Sequence, residues 1–245
     1  MIKSLSIIIP VFNEKLRLKS SFNHILLFLK KKKIFKIEII FVDDGSEDNS
    51  YFLINQFIKS FKKSRKNIKI KFQIIKSKKN LGKGSALKLG VSKAKYEWVL
   101  TTDVDMSVSL FQIFKWIKKK YINNKNFVYF GARKHEKSIV EAKFFRQILG
   151  GLMSLLTNII LNIKIKDTQC GYKLYKKSIA KPIFLKLKDY GFNHDLEIIL
   201  LLKTKNIEIK ELPVKWEHRD NSRLNIFWDP IKMLFGIFLI KFRYF

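Results

Sequence analysis

Asp103 and Asp105, in the run Thr101-Thr102-Asp103-Val104-Asp105 directly after an apolar segment, are the residues of this sequence with the most definite chemistry. Side chains alternate along a strand with period two, so this spacing sets both carboxylates on one side of the chain. Two carboxylates converging at a strand end repel unless a cation lies between them. Mg²⁺ suits the place, because it takes one or two carboxylates together with phosphate oxygens. A divalent ion, Mg²⁺ or Mn²⁺, held by Asp103 and Asp105 is therefore expected; a solvated turn is the other reading of the same residues.

Three more clusters precede this pair. Pro10-Val11-Phe12-Asn13-Glu14 reads either as a binding turn or as a plain helix start, with Pro10 expected to end strand pairing, Asn13 as cap and Glu14 at the positive helix end. Val42-Asp43-Asp44-Gly45-Ser46 offers two carboxylates that can accept hydrogen bonds from a base or a ribose hydroxyl, or else a glycine turn with a Ser46 or Asp48 cap. Asn80-Leu81-Gly82-Lys83-Gly84-Ser85-Ala86 sets free backbone N–H groups and one lysine before a helix, a place for a phosphate or a simple glycine turn; its spacing is not that of a Walker A loop. Downstream, Asp195 and Glu197 open an apolar helix, to orient sugar hydroxyls, to act as a base if the acceptor is a sugar alcohol, or simply as an acidic first turn.

The elements needed to position these residues follow from the periodicity. Strands are expected at 5–10, 37–43, 68–76, 98–103 and 127–131, with helices near 14–32, 47–63, 83–94 and 109–120. Strands alternating with helices make an α/β fold with a mostly parallel sheet, and in such open sheets ligands bind at the carboxyl ends of the strands, where these clusters fall. An apolar helical segment is expected at 143–163, then a short strand and two helices, a strand at 207–213, and a final amphipathic stretch at 226–245. No repeat or linker divides the chain, so residues 1–225 are read as one catalytic domain and 226–245 as a membrane-associating segment.

The 245 residues, 47% of them hydrophobic, suffice for a substantial core. A formal net charge of +30 attracts polyanions such as anionic lipid, nucleic acid or phosphorylated substrates, although a genome rich in A and T produces the same lysine bias. A nucleic-acid-binding protein expects clustered basic residues with exposed aromatics or a binding module, and the sequence has neither. That reading also leaves Asp103 and Asp105 unexplained. Cys170 is the only cysteine, which excludes an intrachain disulfide and fits a reducing compartment. No window reaches the roughly 18 to 20 uninterrupted apolar residues of a membrane-spanning helix, and the start of the chain lacks a signal-peptide pattern.

In their order and placement the four clusters resemble those of inverting glycosyltransferases of family 2, which have the Rossmann-like GT-A fold and an acidic D-x-D pair for the metal of a nucleotide diphosphate sugar. Phe130-Gly131-Ala132-Arg133, Phe144-Phe145-Arg146, the segment from Asp167 to Tyr175 and Asp195-Leu196-Glu197 are similar, in particular, to dolichyl-phosphate glucosyltransferases. The resemblance implies that Pro10, Phe12, Glu14, Val42, Asp44, Lys83, Asp103 and Val104 border the nucleotide sugar, with Arg223 near its diphosphate. It implies Asp103 and Asp105 for the metal, Arg133 and Arg146 for the acceptor phosphate, and Asp105, Arg133 and Asp195 as the catalytic group. Each of the three arginines also reads as a solvated surface cation.

The expected activity is hexose transfer, with glucose from UDP-glucose as the first choice, onto a polyprenyl or dolichyl phosphate. The alternative is a saccharide or other hydroxyl acceptor. Met106-Ser107 and Asn193-His194 depart from the related patterns and bear on the donor sugar. The glucosyl relatives carry an N-terminal membrane helix without counterpart here, so peripheral attachment to the cytoplasmic face of a bacterial inner membrane is expected, through the segments 143–163 and 226–245. Buried core helices are the other reading of those two segments.

Overall fold

The computed structural model describes residues 2–31, 33–64, 70–123, 126–141, 156–191, 193–218 and 228–244. The chain opens with β1 (Ser4–Val11), α1 (Lys15–Lys30), β2 (Lys36–Asp43), α2 (Ser50–Ser64), β3 (Ile70–Lys76), α3 (Lys83–Lys93), β4 (Trp98–Thr101), α4 (Gln112–Lys118) and β5 (Val128–Ala132). Then come β6 (Ile139–Glu141), β7 (Lys173–Lys176), α5 (Lys177–Lys186), α6 (His194–Lys203), β8 (Lys210–Pro213), β9 (Lys215–Glu217) and α7 (Trp228–Tyr244). Seven strands form one sheet in the order β3-β2-β1-β4-β7-β5-β8, and β6 pairs with β9 apart from it. Among the described residues, only β7 of the large sheet runs antiparallel to its neighbours. A mostly parallel α/β architecture is thus present as expected.

Alternation along the strands produces two cores, one on each face. Ile7, Ile9, Ile39 and Phe41 join Leu18, Ile25, Phe28 and Ile54 of α1 and α2 and Trp116 of α4 on one side. Ile8, Ile40 and Val42 face α3, α5, α6 and α7 on the other. α1 buries Leu18, Ser21, Ile25, Phe28 and Leu29, the three-to-four spacing of a helix with one inward face. Each such fully buried Ile, Leu or Phe contributes about 1.5 to 3 kcal/mol relative to exposure. Strands buried on both faces lose the polar alternation of a surface sheet, which is why β2 reads as an almost continuous apolar run.

Two local expectations are corrected. Pro10 does not end strand pairing: β1 continues to Val11, with Pro10 opposite Val42. Residues two apart direct their N–H groups to the same edge, and on the edge that Ile8 shares with β4 the last pair is Ile8–Thr101, so the N–H that proline lacks breaks no ladder. The 98–103 strand stops at Thr101, which leaves Asp103 and Asp105 in a turn closed by the Met106 N–H on the Asp103 carbonyl at 3.3 Å. Their proximity comes from that turn and not from strand alternation.

α7 is amphipathic in a definite way. Met233, Ile237 and Ile240 enter the second core, while Phe235, Phe238, Leu239 and Phe242 stand exposed on the opposite side. Among the described residues, no helix is long and apolar enough to cross a membrane. Most of the 143–163 segment lies outside the described residues.

Candidate active site

The carboxyl ends of β1, β2 and β4 lie side by side, and the loops that leave them are bonded together. Asn13, at φ +52°, accepts the N–H groups of Glu47 and Asp48 on its side-chain oxygen at 2.8 and 3.1 Å. It therefore caps the neighbouring turn and not its own helix. The N-terminus of α1 is satisfied from across the site: Ser50 Oγ accepts the Glu14 N–H at 2.7 Å, and Asp48 accepts that of Lys15 at 3.2 Å. This reciprocal latch fixes Phe12 and Glu14 beside the end of β2.

Asp43 and Asp44 play different parts. Asp44 is nearly buried and accepts the N–H groups of Leu81, at 3.2 Å, and Gly82, at 2.7 Å. Burial raises its pKa, only partly offset by those two amides, and the Asp43 charge adds to the rise. Asp44 thus shapes the loop before α3. Asp43 is fully buried at the strand end and its Oδ1 has no partner among the described residues. An unpaired buried acceptor is costly, so Asp43 is the better placed of the two to receive a donor from a ligand. The sequence shows the doublet but not which member is already committed. The Val42 side chain is also buried, in the core under Gly90, and the Val104 side chain lies in the opposite core with its carbonyl bonded to Ser21. Neither side chain is open to solvent, so the contact with a nucleotide sugar expected of both residues would have to be made by their backbone.

The acidic turn is surrounded by cations. Lys83 meets Asp103 at 2.5 Å, with the two side chains 38% and 39% exposed, and Arg17 stands 4.0 Å from Asp105 and 3.3 Å from Glu14. Burial works against the Lys83 ammonium, but Asp103, Asp195 and Asp105 outweigh it and raise its pKa above the ordinary lysine value. Lys83 is held in place by close backbone packing. Gly82 has φ +102°, and a Cβ there would lie 2.2 Å from the Tyr190 carbonyl oxygen, which accepts the Gly84 N–H at 2.9 Å. On the other side of the turn a Cβ on Gly171 would lie 2.3 Å from an Asp103 carboxylate oxygen. The Asp103 carboxylate therefore rests on the bare backbone of the 167–172 segment.

Two partly exposed carboxylates that already draw a lysine and an arginine form an all-oxygen well suited to Mg²⁺ or Mn²⁺. Among the described residues no group of three or more His, Cys, Asp or Glu converges. Further ligands would have to be diphosphate oxygens and water, which is the usual division for Mg²⁺. Asp103 and Asp105 are the residues that fit such an ion.

A small cleft opens next to this turn, lined by Asp103, Ser107, Arg133, Gln169 and Trp216 among others. Arg133 is fixed in it by a fork: Nε and NH2 donate to the two oxygens of Asp167 at 2.7 and 2.8 Å, and the Arg133 backbone N–H donates at 2.8 Å. Its guanidinium carbon lies 6.0 Å from the centre of the Trp216 ring. Burial opposes the carboxylate of Asp167, yet Arg133 overrides it and lowers its pKa. The neighbouring Cys170 thiol is pushed up to about 12, chiefly by burial, and is no nucleophile. Trp216 and the Asp167 fork carry no periodic signal in the sequence.

Asp195 does not face the cleft as a base. It is 6% exposed and paired at 2.5 Å with Lys173, itself 1% exposed, whose ammonium also donates to the Thr168 carbonyl at 3.0 Å. Burial favours the neutral acid, but His194, Lys173 and Lys83 hold Asp195 down at about 2. A carboxylate so stabilised is a poor proton acceptor at neutral pH, which counts against the base role expected of it for a hydroxyl acceptor. Glu197 is wholly buried, with its carboxylate bonded to the Lys188 and Asp189 amides. Arg146 and Arg223 lie outside the described residues.

The sheet order, the bonded strand-end loops and the acidic turn beside a cation-lined cleft define a GT-A glycosyltransferase. Residues 6–184 match the family described as glycosyl transferase family 2, and the chain belongs to that family. It is 34% identical over 249 residues to a dolichyl-phosphate beta-glucosyltransferase of Dictyostelium discoideum, covering 98% of this chain and 74% of that protein. The human protein of the same name is 30% identical over 254 residues, 99% of this chain and 76% of that one. Both sources are eukaryotic, so the expected bacterial inner membrane finds no support in them. Among solved structures, mannosyl-3-phosphoglycerate synthase from Rubrobacter xylanophilus superposes with a TM-score of 0.66 at 13% identity, over 98% of this chain and 73% of that one. A Pyrobaculum calidifontis mannosyltransferase in complex with GDP-Man and Mn²⁺ gives 0.59 at 13%, over 89% and 58%. At such identities these two speak for the fold.

Proposed function

We propose that this glycosyltransferase moves glucose from UDP-glucose onto the phosphate of a dolichyl or other polyprenyl phosphate, with inversion, at a membrane surface. The observation that carries the reading is the Arg133 fork: a guanidinium oriented by Asp167 in the same cleft as Asp103, with its side chain still one-third exposed beside the acidic turn. The names of the relatives, which match nearly the whole chain, support the same acceptor.

In this mechanism Asp43, Phe12 and the latched loops around Asp44 border the nucleoside. Lys83, at the head of α3, is the cation for the diphosphate. An oxygen of the acceptor phosphate, oriented by Arg133, attacks the anomeric carbon while the bond from that carbon to the diphosphate oxygen breaks on the opposite face. The electron pair leaves with the nucleoside diphosphate. A phosphate monoester with a second pKa near ~6 is already largely ionised at neutral pH, so no residue has to remove a proton. Held by Asp103 and Asp105, Mg²⁺ or Mn²⁺ would neutralise charge on the leaving diphosphate. A hydroxyl acceptor, by contrast, needs a general base, and the committed pairing of Asp195 with Lys173 counts against that alternative. The exposed apolar stripe of α7, with Lys241 and Arg243 near its end, suits peripheral contact with a cytoplasmic membrane face.

The direct test is transfer of radiolabelled glucose from UDP-glucose to polyprenyl phosphate with Mg²⁺ or with EDTA, for wild type and Asp105→Ala. Metal-dependent label in the lipid fraction, lost in the variant, is expected. No lipid product with any common UDP or GDP sugar would overturn the lipid acceptor.

A further inference from the structure

The function just proposed leaves Glu197 without a task, although its side chain is fully enclosed, at 0% exposure. Its two oxygens are divided between two parts of the molecule. Oε2 accepts the backbone N–H groups of Lys188 at 2.9 Å and Asp189 at 2.5 Å. Oε1 accepts the Tyr244 hydroxyl at 2.6 Å and Arg243 NH1 at 3.3 Å, both from the last turn of α7. The segment that Oε2 holds continues to Tyr190, whose carbonyl takes the Gly84 N–H at 2.9 Å and lies where a Cβ on Gly82 would clash. Lys88, one turn along α3, donates to the Leu187 carbonyl at 2.9 Å and to the Tyr190 hydroxyl at 3.3 Å. α7 also sits tightly on the start of α6, since a Cβ on Gly236 would fall 1.9 Å from Asn193 Nδ2.

We infer that Glu197 is a positioning residue that ties the seating of α7 to the Gly82–Gly84 loop carrying Lys83. The path runs by hydrogen bonds from the Tyr244 hydroxyl to the Glu197 carboxylate and from there to the amides of Lys188 and Asp189, along that backbone to the Tyr190 carbonyl, and by a further hydrogen bond to the Gly84 N–H. The opposite side of α7 exposes Phe235, Phe238, Leu239 and Phe242, so a lipid surface that seats this helix also braces the loop beside Asp103. Bond energies inside a closed network exceed those of surface pairs, which is why loss of one hydroxyl is felt at the far end.

The inference rests on the donor reading only for its consequence, and the test separates the two. Amide hydrogen exchange at Gly84, Lys188 and Asp189 is compared in wild type, Tyr244→Phe and Glu197→Gln, with circular dichroism confirming the fold. Tyr244→Phe keeps the ring and removes only the hydroxyl. Exchange at Gly84 is expected to rise about threefold to tenfold in both variants, the size that follows from one hydrogen bond to a charged acceptor shared over several links. In parallel the dissociation constant for UDP-glucose is read by calorimetry without acceptor and is expected to weaken by a similar factor. Unchanged Gly84 exchange in Tyr244→Phe, with faster exchange confined to the end of α7, would overturn the inference. If wild type binds no UDP-glucose, the donor assignment fails, while the exchange result still decides the role of Glu197.

Discussion

Replacing Asp167 by Asn tests whether the Arg133 fork is as strong as its geometry. Asp167 is 4% exposed and accepts three hydrogen bonds from Arg133 and one from the Gln169 N–H at 3.3 Å. Asparagine keeps the shape, but only one of its two terminal atoms accepts. With oxygen at the Oδ2 position, the bonds to Arg133 N and Nε survive without charge assistance. The amide nitrogen then faces Arg133 NH2 and the Gln169 N–H, donor against donor. Hydrogen bonds to charged groups are worth about 1.5 to 3 kcal/mol, and breaking a buried ion pair costs about 3 to 5. The Arg133 side chain is 33% exposed and can turn a freed N–H to water, so the lower end applies and the expected loss is about 2 to 3 kcal/mol. For a domain of this size that is a fall of about 5 to 10 °C in Tm. Urea unfolding at pH 7 reads the loss directly. The same variant should raise KM for polyprenyl phosphate while leaving KM for the donor near its wild-type value. The pKa of Asp167 is depressed in the folded state, so its contribution is full above the unfolded carboxylate pKa near ~4 and fades as pH falls further. The gap between wild type and variant must therefore narrow in acid. A loss below about 0.5 kcal/mol at pH 7 would refute the reasoning, since a solvated arginine at the surface costs no more than that.

Lys83→Gln removes the cation that Asp103 now holds, so Mn²⁺ affinity measured without nucleotide should rise about tenfold while UDP-glucose binding weakens; titration calorimetry with each ligand reads both, and parallel losses would contradict it. The double variant Phe235→Ser with Phe242→Ser should lose cosedimentation with anionic vesicles, with thermal stability changed by no more than about 0.5 kcal/mol because both side chains are exposed. In acid titration, the Lys173–Asp195 pair should hold its full contribution above about pH 4 and lose it as pH falls through about 2, whereas Asp195→Asn should show no such loss.

The repeating half of the fold was legible because its signal is local. β1 to β5 and their helices each carry their own periodicity, and the observed bounds differ from expectation by a few residues at the ends. What escaped was set at long range. β7 enters the sheet between β4 and β5, pairing antiparallel to both, and a four-residue strand from the second half announces no partner in its own sequence. The β6 and β9 pair is three residues long and depends on the 215–217 segment returning past β5. The burial of Val42 and Val104 was hidden for a related reason: residue type alone does not reveal which side of a strand end meets solvent.

For the site, the sequence displays which groups are acidic and roughly where they gather, but not which charge is already spent. Asp103 engages Lys83, Asp105 lies near Arg17, Asp167 binds Arg133 and Asp195 binds Lys173, partners 20, 88, 34 and 22 positions apart. In a chain of net charge +30 cations are never scarce, so pairing is governed by geometry and exposure. The two pairs left partly open to solvent, at Asp103 and Asp105, can exchange their cationic partner for a metal or give it up to a diphosphate. The two closed ones, at Asp167 and Asp195, cannot do so without stranding a buried charge. That difference in exposure separates the carboxylates suited to ligand binding from those that hold the frame, and it explains why Asp195, so similar in sequence context, belongs with the second group.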